Sequence, residues 1–155
     1  QIGMVYQQRG ELEKALDFYQ RSLKLDEQIG NPSEIAGSLH QIGIMYHKKG
    51  ELEKALDFYQ RSLKLKEQIG NPSEIAQSLG AMTLLYRQKN DTLNELRQIG
   101  RALFLLPHLP NPGLQRTIAF IFQETLQSIA PQEREKLLQS ALGAETAMKI
   151  LEMIS

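Results

Sequence analysis

The chain has 155 residues, 41% of them hydrophobic, which is enough apolar material for about one core-bearing domain or array. Its 18 basic and 18 acidic side chains cancel, so no global field favours nucleic acid or an anionic membrane as partner. The absence of cysteine excludes a disulfide framework and thiolate chemistry, and leaves a reducing, cytoplasmic setting as the expectation. No apolar run approaches the roughly 18 residues that span a bilayer, and no signal peptide opens the chain, so no membrane partner is expected.

In chain order, Ile2, Val5 and Tyr6 place one apolar face on a helix that Gly10 ends. From Glu11 a second helix carries Leu12, Ala15, Leu16, Tyr19 and Leu23 as its inner stripe and stops at Gly30. Asn31-Pro32-Ser33-Glu34 is a helix start: an N-cap, a proline at the first position, and an acid placed to reach back. The helix that follows points Ile35, Leu39, Ile42, Gly43 and Tyr46 inward and ends at Gly50. The same pair then recurs, with a helix from about Glu51 to Ile69, Gly70 as stop, and Asn71-Pro72 as the next start. Thr92 and Glu95 read as a capping box that opens a helix to about Leu106, with Leu93, Leu96, Ile99, Leu103 and Leu106 inward. Pro107 and Pro110 stiffen the next link. Gly113 to Ala130 is a further amphipathic helix, Pro131 starts another to about Leu142, and a last one runs from Ala144 through Ala147, Met148, Leu151 and Ile154. No period-2 alternation suggests a strand.

The organising feature is repetition. Gly10–His40 and Gly50–Gly80 differ only at Asp26/Lys66, Gly37/Gln77 and His40/Gly80, an offset of 40 residues. A fixed period of this size marks a stacked array, because one helix pair cannot bury its own apolar face. Gln1 falls where Gln41 does, in mid-helix, so the sequence reads as cut from a longer array.

Leu39-x2-Ile42-Gly43-x2-Tyr46 followed by Ala55-x3-Tyr59 resembles the tetratricopeptide repeat, whose pattern is W-x2-L-G-x2-Y, then A-x3-F, then P. Ile2-Gly3-x2-Tyr6 and Ala15-x3-Tyr19 repeat the match. Leu39 stands in place of Trp, the closing Pro is missing, and the period exceeds the usual 34 or so residues by about 1.7 helical turns. This is similar to the long repeats of kinesin light chains and signalling adaptors. The resemblance implies an all-α, right-handed superhelical solenoid of antiparallel helix pairs. Repeats would occupy about 1–30, 32–70 and 72–106, with a further first helix at 112–130. Residues 131–155 would be capping helices or a degenerate repeat. Small Gly43 and Ala55 would mark where the helices of a pair touch, and Tyr46 and Tyr59 would fill the space between pairs. Thr83 and Glu95 stand where Gly and Ala belong, so the third pair must pack differently.

In this family the first helix of each pair lines a concave face. Carried over, the contact residues are Met4, Gln7 and Gln8; Gly37, His40, Gln41, Ile44, His47 and Lys48; and Gln77, Gly80, Leu84, Arg87 and Gln88. Such a groove suits an extended peptide or a helix with apolar anchors and some acidic groups. Met4, Ile44 and Leu84 stand where a chaperone carboxylate clamp wants Asn, so no such clamp is expected.

His40 and His47 lie about 10 Å apart along one helix, too far for one metal, and read as solvated groove side chains. The acid pairs Glu11/Glu13 and Glu51/Glu53 are explained by the positive end of a helix dipole. Lys48-Lys49 with Arg87 and Lys89 is too thin an edge for nucleic acid. No phosphate loop, nucleophile elbow or metal-spaced cluster occurs, so neither catalysis nor a cofactor is expected. The expected role is a scaffold that holds a protein or peptide segment. The alternatives are a segment that self-associates through the open face at Ile2 and Val5, or a regulatory or sensor module of a larger signalling protein or enzyme.

Overall fold

The computed structural model describes the backbone of residues 2–154 and the side chains of residues 2–149. The elements are α1 (Ile2–Gln8), α2 (Leu12–Ile29), α3 (Pro32–Lys48), α4 (Leu52–Ile69), α5 (Pro72–Gln88), α6 (Thr92–Leu103), a 3-10 turn (Leu106–His108), α7 (Pro112–Gln127), α8 (Pro131–Leu142) and α9 (Ala144–Ile154). The fold is all-α, with no strand among the described residues. The chain divides into two compact units, Gln1–Ser78 and Leu79–Ser155.

Helix ends follow the local chemistry. The Asn31 side chain accepts a hydrogen bond from the Ser33 amide at 3.1 Å, and Asn71 does the same for Ser73. Glu74 answers Asn71 through the side-chain amide at 3.3 Å, a variant of the reciprocal capping bond. Gly30 and Gly70 end α2 and α4 with φ of 74° and 79°, a left-handed conformation that costs glycine little. The expected capping box at Thr92 is displaced by one residue. Asp91 is the cap, accepting from the Asn94 amide at 3.1 Å, while Glu95 is drawn away to an arginine. The helix expected to reach Leu106 ends at Leu103, and Leu106-Pro107-His108 forms a 3-10 turn. Pro107 has no amide proton to bond the Leu103 carbonyl, so the α-helical ladder cannot continue through it.

In the N-terminal unit the core is Ala15, Tyr19, Leu23, Leu39, Ile42 and Met45, with Tyr6, Leu16, Ile35, Tyr46 and Phe58 packed around it. Each helix pair closes on a glycine. A Cβ on Gly43 would lie 2.7 Å from the Tyr59 ring, and one on Gly3 would lie 2.8 Å from the Tyr19 ring. These tyrosines therefore seat on the glycine of their own helix pair, and Tyr19 also joins the cluster it shares with Leu39, Ile42 and Met45 of the next pair. Tyr46 likewise stacks on Phe58 of its own pair, with ring centroids 5.4 Å apart. Ser62, fully buried on α4, donates to the Ala36 carbonyl of α3 at 2.7 Å and pins the middle of that pair.

The C-terminal unit packs α6 against α7 and α8, and α8 against α9. Its core includes Leu96, Ile99, Ala102, Ile118, Phe122, Leu126 and Leu138. The glycine contact reappears in altered form, because Gly100 takes the Leu142 side chain at a distance that admits no Cβ. Forty residues after Gly43 and Tyr59 stand Thr83 and Ile99, both fully buried, so the larger residue on α5 accompanies a smaller one on α6. Met148, expected on the inner stripe of α9, is 58% exposed. The side chains of Leu151 and Ile154 lie outside the described residues.

Gly43→Ala should destabilise the protein by about 1 kcal/mol net. Overpacking against a buried ring costs about 1–3 kcal/mol and outweighs alanine's helix advantage. Gly37→Ala, where a Cβ meets nothing within 4 Å, should stabilise it by about 0.5–1 kcal/mol. Urea unfolding of both variants checks the pair, and equal effects would contradict the seat.

Candidate functional site

Each first-in-pair helix places its carried-over residues differently. On α1, Met4 is 52% exposed, Gln8 is exposed and Gln7 half-buried. On α3, Lys48 is exposed, while Gln41, Ile44 and His47 are half-buried, and Ile44 packs partly on the core. Gln77, on the part of α5 that belongs to the N-terminal unit, is exposed. In the C-terminal unit Leu84 is 47% exposed, Gln88 is exposed and Arg87 is half-buried.

His40 is not a solvated side chain. Its ring lies tilted against Tyr59, centroids 5.3 Å apart, and its Nδ1 is 3.5 Å from the Ser78 hydroxyl. Lys66 on α4 donates to the same hydroxyl at 3.1 Å and is only 3% exposed. Among the described residues no carboxylate lies within ion-pair distance of Lys66; Glu74 acts on it from farther away. Burial holds the lysine below its usual range. Burial first, and the Lys66 charge second, hold His40 at about 4. Burial also pushes the Tyr59 hydroxyl up to about 12. The arrangement is a neutral imidazole beside a buried cation.

The near-identical first pair lacks this arrangement. There Asp26 accepts from the Ser38 hydroxyl at 2.7 Å, at the positions 40 residues before Lys66 and Ser78. Two of the three differences between the copies, Lys66 and His40, thus meet around one serine. Lys66 and Ser78 were not among the carried-over residues. The Asp26/Lys66 difference was the visible signal, but which residues it touches depends on packing.

In the C-terminal unit Arg87 holds helices together. Its Nε donates to Glu95 on α6 at 2.7 Å, and its Nη atoms donate to Thr125 at 3.0 Å and Glu124 at 3.4 Å on α7. Thr125 in turn donates to Glu95 at 2.8 Å. Glu95 is 5% exposed, so this acid, standing where the pattern has alanine, is tolerated because a guanidinium and a hydroxyl meet it. Arg87 is thus largely committed to the fold. The thin basic edge is occupied as well at Lys49, which bridges Glu13 and Glu51 at 3.3 and 3.4 Å. Among the described residues no cluster of three His, Cys, Asp or Glu is placed to hold a metal, and no helix is long and apolar enough to cross a membrane.

Paired helices joined by glycine turns, with small residues seating tyrosines and a constant 40-residue step, define a helical-repeat protein. The sequence model of the tetratricopeptide repeat matches residues 1–68 and 34–103, and the chain belongs to the tetratricopeptide repeat family. Proteins of this family typically serve as non-catalytic scaffolds that mediate protein–protein interaction. Among solved structures it is similar to BtubC (BKLC) from P. vanneervenii, with a TM-score of 0.76 and 17% identity. The likeness covers 99% of this chain and 61% of that one, and shows a shared fold. A search of curated proteins returned no match.

Two outcomes follow from these contacts. A histidine held below its usual 6.5 contributes stability that is fully present above about pH 6.5 and is lost as pH falls towards 4. The stability difference between wild type and His40→Gln should therefore shrink across that window in chemical unfolding, and a pH-independent difference would contradict it. Arg87→Ala should cost about 2–3 kcal/mol, because it strands the buried Glu95 carboxylate, with some relief from water since Arg87 is 37% exposed. Glu95→Ala should cost less, and the reverse order in unfolding experiments would argue against the network.

Proposed function

We propose that the first-in-pair helices form a face that captures a protein or peptide segment. The observation that carries this is Met4, a large apolar side chain left 52% exposed on α1 at a position the family uses for contact. Leu84, 47% exposed on α5, supports the same reading in the C-terminal unit. Isolated exposed apolar residues are common, so the weight rests on their register: both occupy the same repeat position, 80 residues apart. Around Met4 and Ile44 stand Gln7, Gln8, Gln41, His47 and Lys48, donors suited to the carbonyls and acids of an extended segment. A rigid helical face leaves the ordering cost mainly with the ligand. The reading is non-catalytic, with no cofactor or metal, and its expected setting is cytoplasmic.

A second reading has its own support. Ile2 and Val5 are 58% and 44% exposed on α1, an apolar face that a second copy of the chain would cover. The regulatory-module reading is compatible with either.

The test is the double variant Met4→Glu, Ile44→Glu against partners captured by the wild type. Binding should fall about tenfold or more, since a carboxylate forced into an apolar contact costs upwards of about 1.4 kcal/mol. Undiminished binding by a variant that melts like the wild type would remove the face as the site. Light scattering over a concentration series separates self-association, which a strict monomer would reject.

A further inference from the structure

The C-terminal unit contains a pocket of about 770 Å3 that none of the carried-over residues touches. Its walls come from the end of α6, the 3-10 turn, α7, α8 and α9, and include Phe104, Leu106, Ala119, Phe122, Leu126 and Arg134. The volume lies within the roughly 300–1,000 Å3 of small-molecule sites. Most of the lining is apolar, and Phe104 is left 57% exposed.

The charge of the wall is one-sided. Among the described residues no acidic one lines the pocket. Lys149 lines it but is engaged with Glu145 at 2.7 Å. Arg134 differs. Its Nε donates to the Ile129 carbonyl at 3.1 Å, which fixes the guanidinium on the pocket wall. Among the described residues no carboxylate lies within ion-pair distance of Arg134, so its two Nη groups keep their donors. A guanidinium held by one nitrogen and open at the others is preorganised for a bidentate carboxylate.

We propose that this pocket binds an anionic amphiphile, with a carboxylate on Arg134 and an acyl chain over Phe122 and Leu126. A hole of small-molecule size in which, among the described residues, Arg134 is the cation with open donors matches one anionic head and one chain. A polypeptide helix would need a longer trough with several anchors. The site is separate from the face proposed above and gives the regulatory-module reading a ligand class. Occupancy would tie α8 and α9 to α6 and α7 within this unit, and so stabilise it by mass action.

The probes are decanoate and its neutral counterpart 1-decanol, titrated calorimetrically into the whole chain below their aggregation limits. The wild type should bind decanoate saturably, one per chain, and about tenfold or more tighter than decanol, the worth of a charge-assisted bond. Arg134→Gln should erase that preference while leaving decanol binding in place. Ala119→Trp, which fills the pocket from an exposed position on α7, should abolish both without changing the melting temperature. If Ala119→Trp fails to fold, Phe104→Asp at the exposed rim should weaken decanoate selectively. Absence of saturable binding, equal binding of the two probes by the wild type, or undiminished binding by the pocket-filling variant overturns the proposal. So does a dimer that Ala119→Trp converts to monomer, which would make the occupant a second copy of the chain.

Discussion

The contact on which the N-terminal unit depends is a tyrosine ring seated on a glycine of the facing helix. Two helices of a pair approach closely only where one of them has no side chain. At Gly43 that gap is filled by Tyr59, and at Gly3 by Tyr19, with no room left for a Cβ. The ring then excludes water from the middle of the pair, and Ile42 and Met45, one and two positions from Gly43 on the same helix, are fully buried. A ring in this seat also sets what lies above it. His40, one turn before Gly43, rests on the same Tyr59, which carries it out of water and beside Lys66. Fold and local electrostatics in this unit thus share one cause.

The third pair shows what happens when the seat is rebuilt. Thr83 replaces glycine, its hydroxyl donating to the Leu79 carbonyl at 2.8 Å within its own helix, and Ile99 takes the place of the ring. Glu95 replaces alanine and would be costly alone. Its neutralisation by Arg87 and Thr125 draws α5, α6 and α7 into one polar network. A compact apolar contact has been exchanged for one that depends on every partner being present. That exchange also explains why a residue in the register of ligand contacts is occupied with holding its own unit together.

Much of this was legible in the sequence because it is local or periodic. The Asn-Pro starts, the glycine stops, the helical spacing and the 40-residue step each need only a short window, and the family pattern marks Gly43 and Ala55 as small for a stated reason. The errors came where two local signals compete or where distant residues decide. Asp91 and Thr92 are adjacent and both suit an N-cap, and the choice was settled by Glu95 turning to Arg87. The burial of His40 rests on Tyr59, Lys66 and Ser78, which lie 19 to 38 positions away. The pocket is assembled from five elements, none of which announces a cavity alone. The register of Met4, Ile44 and Leu84 was readable; which of them is free and which packs on the core was not.

The account stands or falls on the tyrosine seat, and nuclear magnetic resonance reads it directly. In the folded chain the Gly43 α-protons should be shifted strongly upfield by the Tyr59 ring current and show intense cross-relaxation to its ring protons. Random-coil α-proton shifts at Gly43, or no cross-peaks to Tyr59, would contradict it.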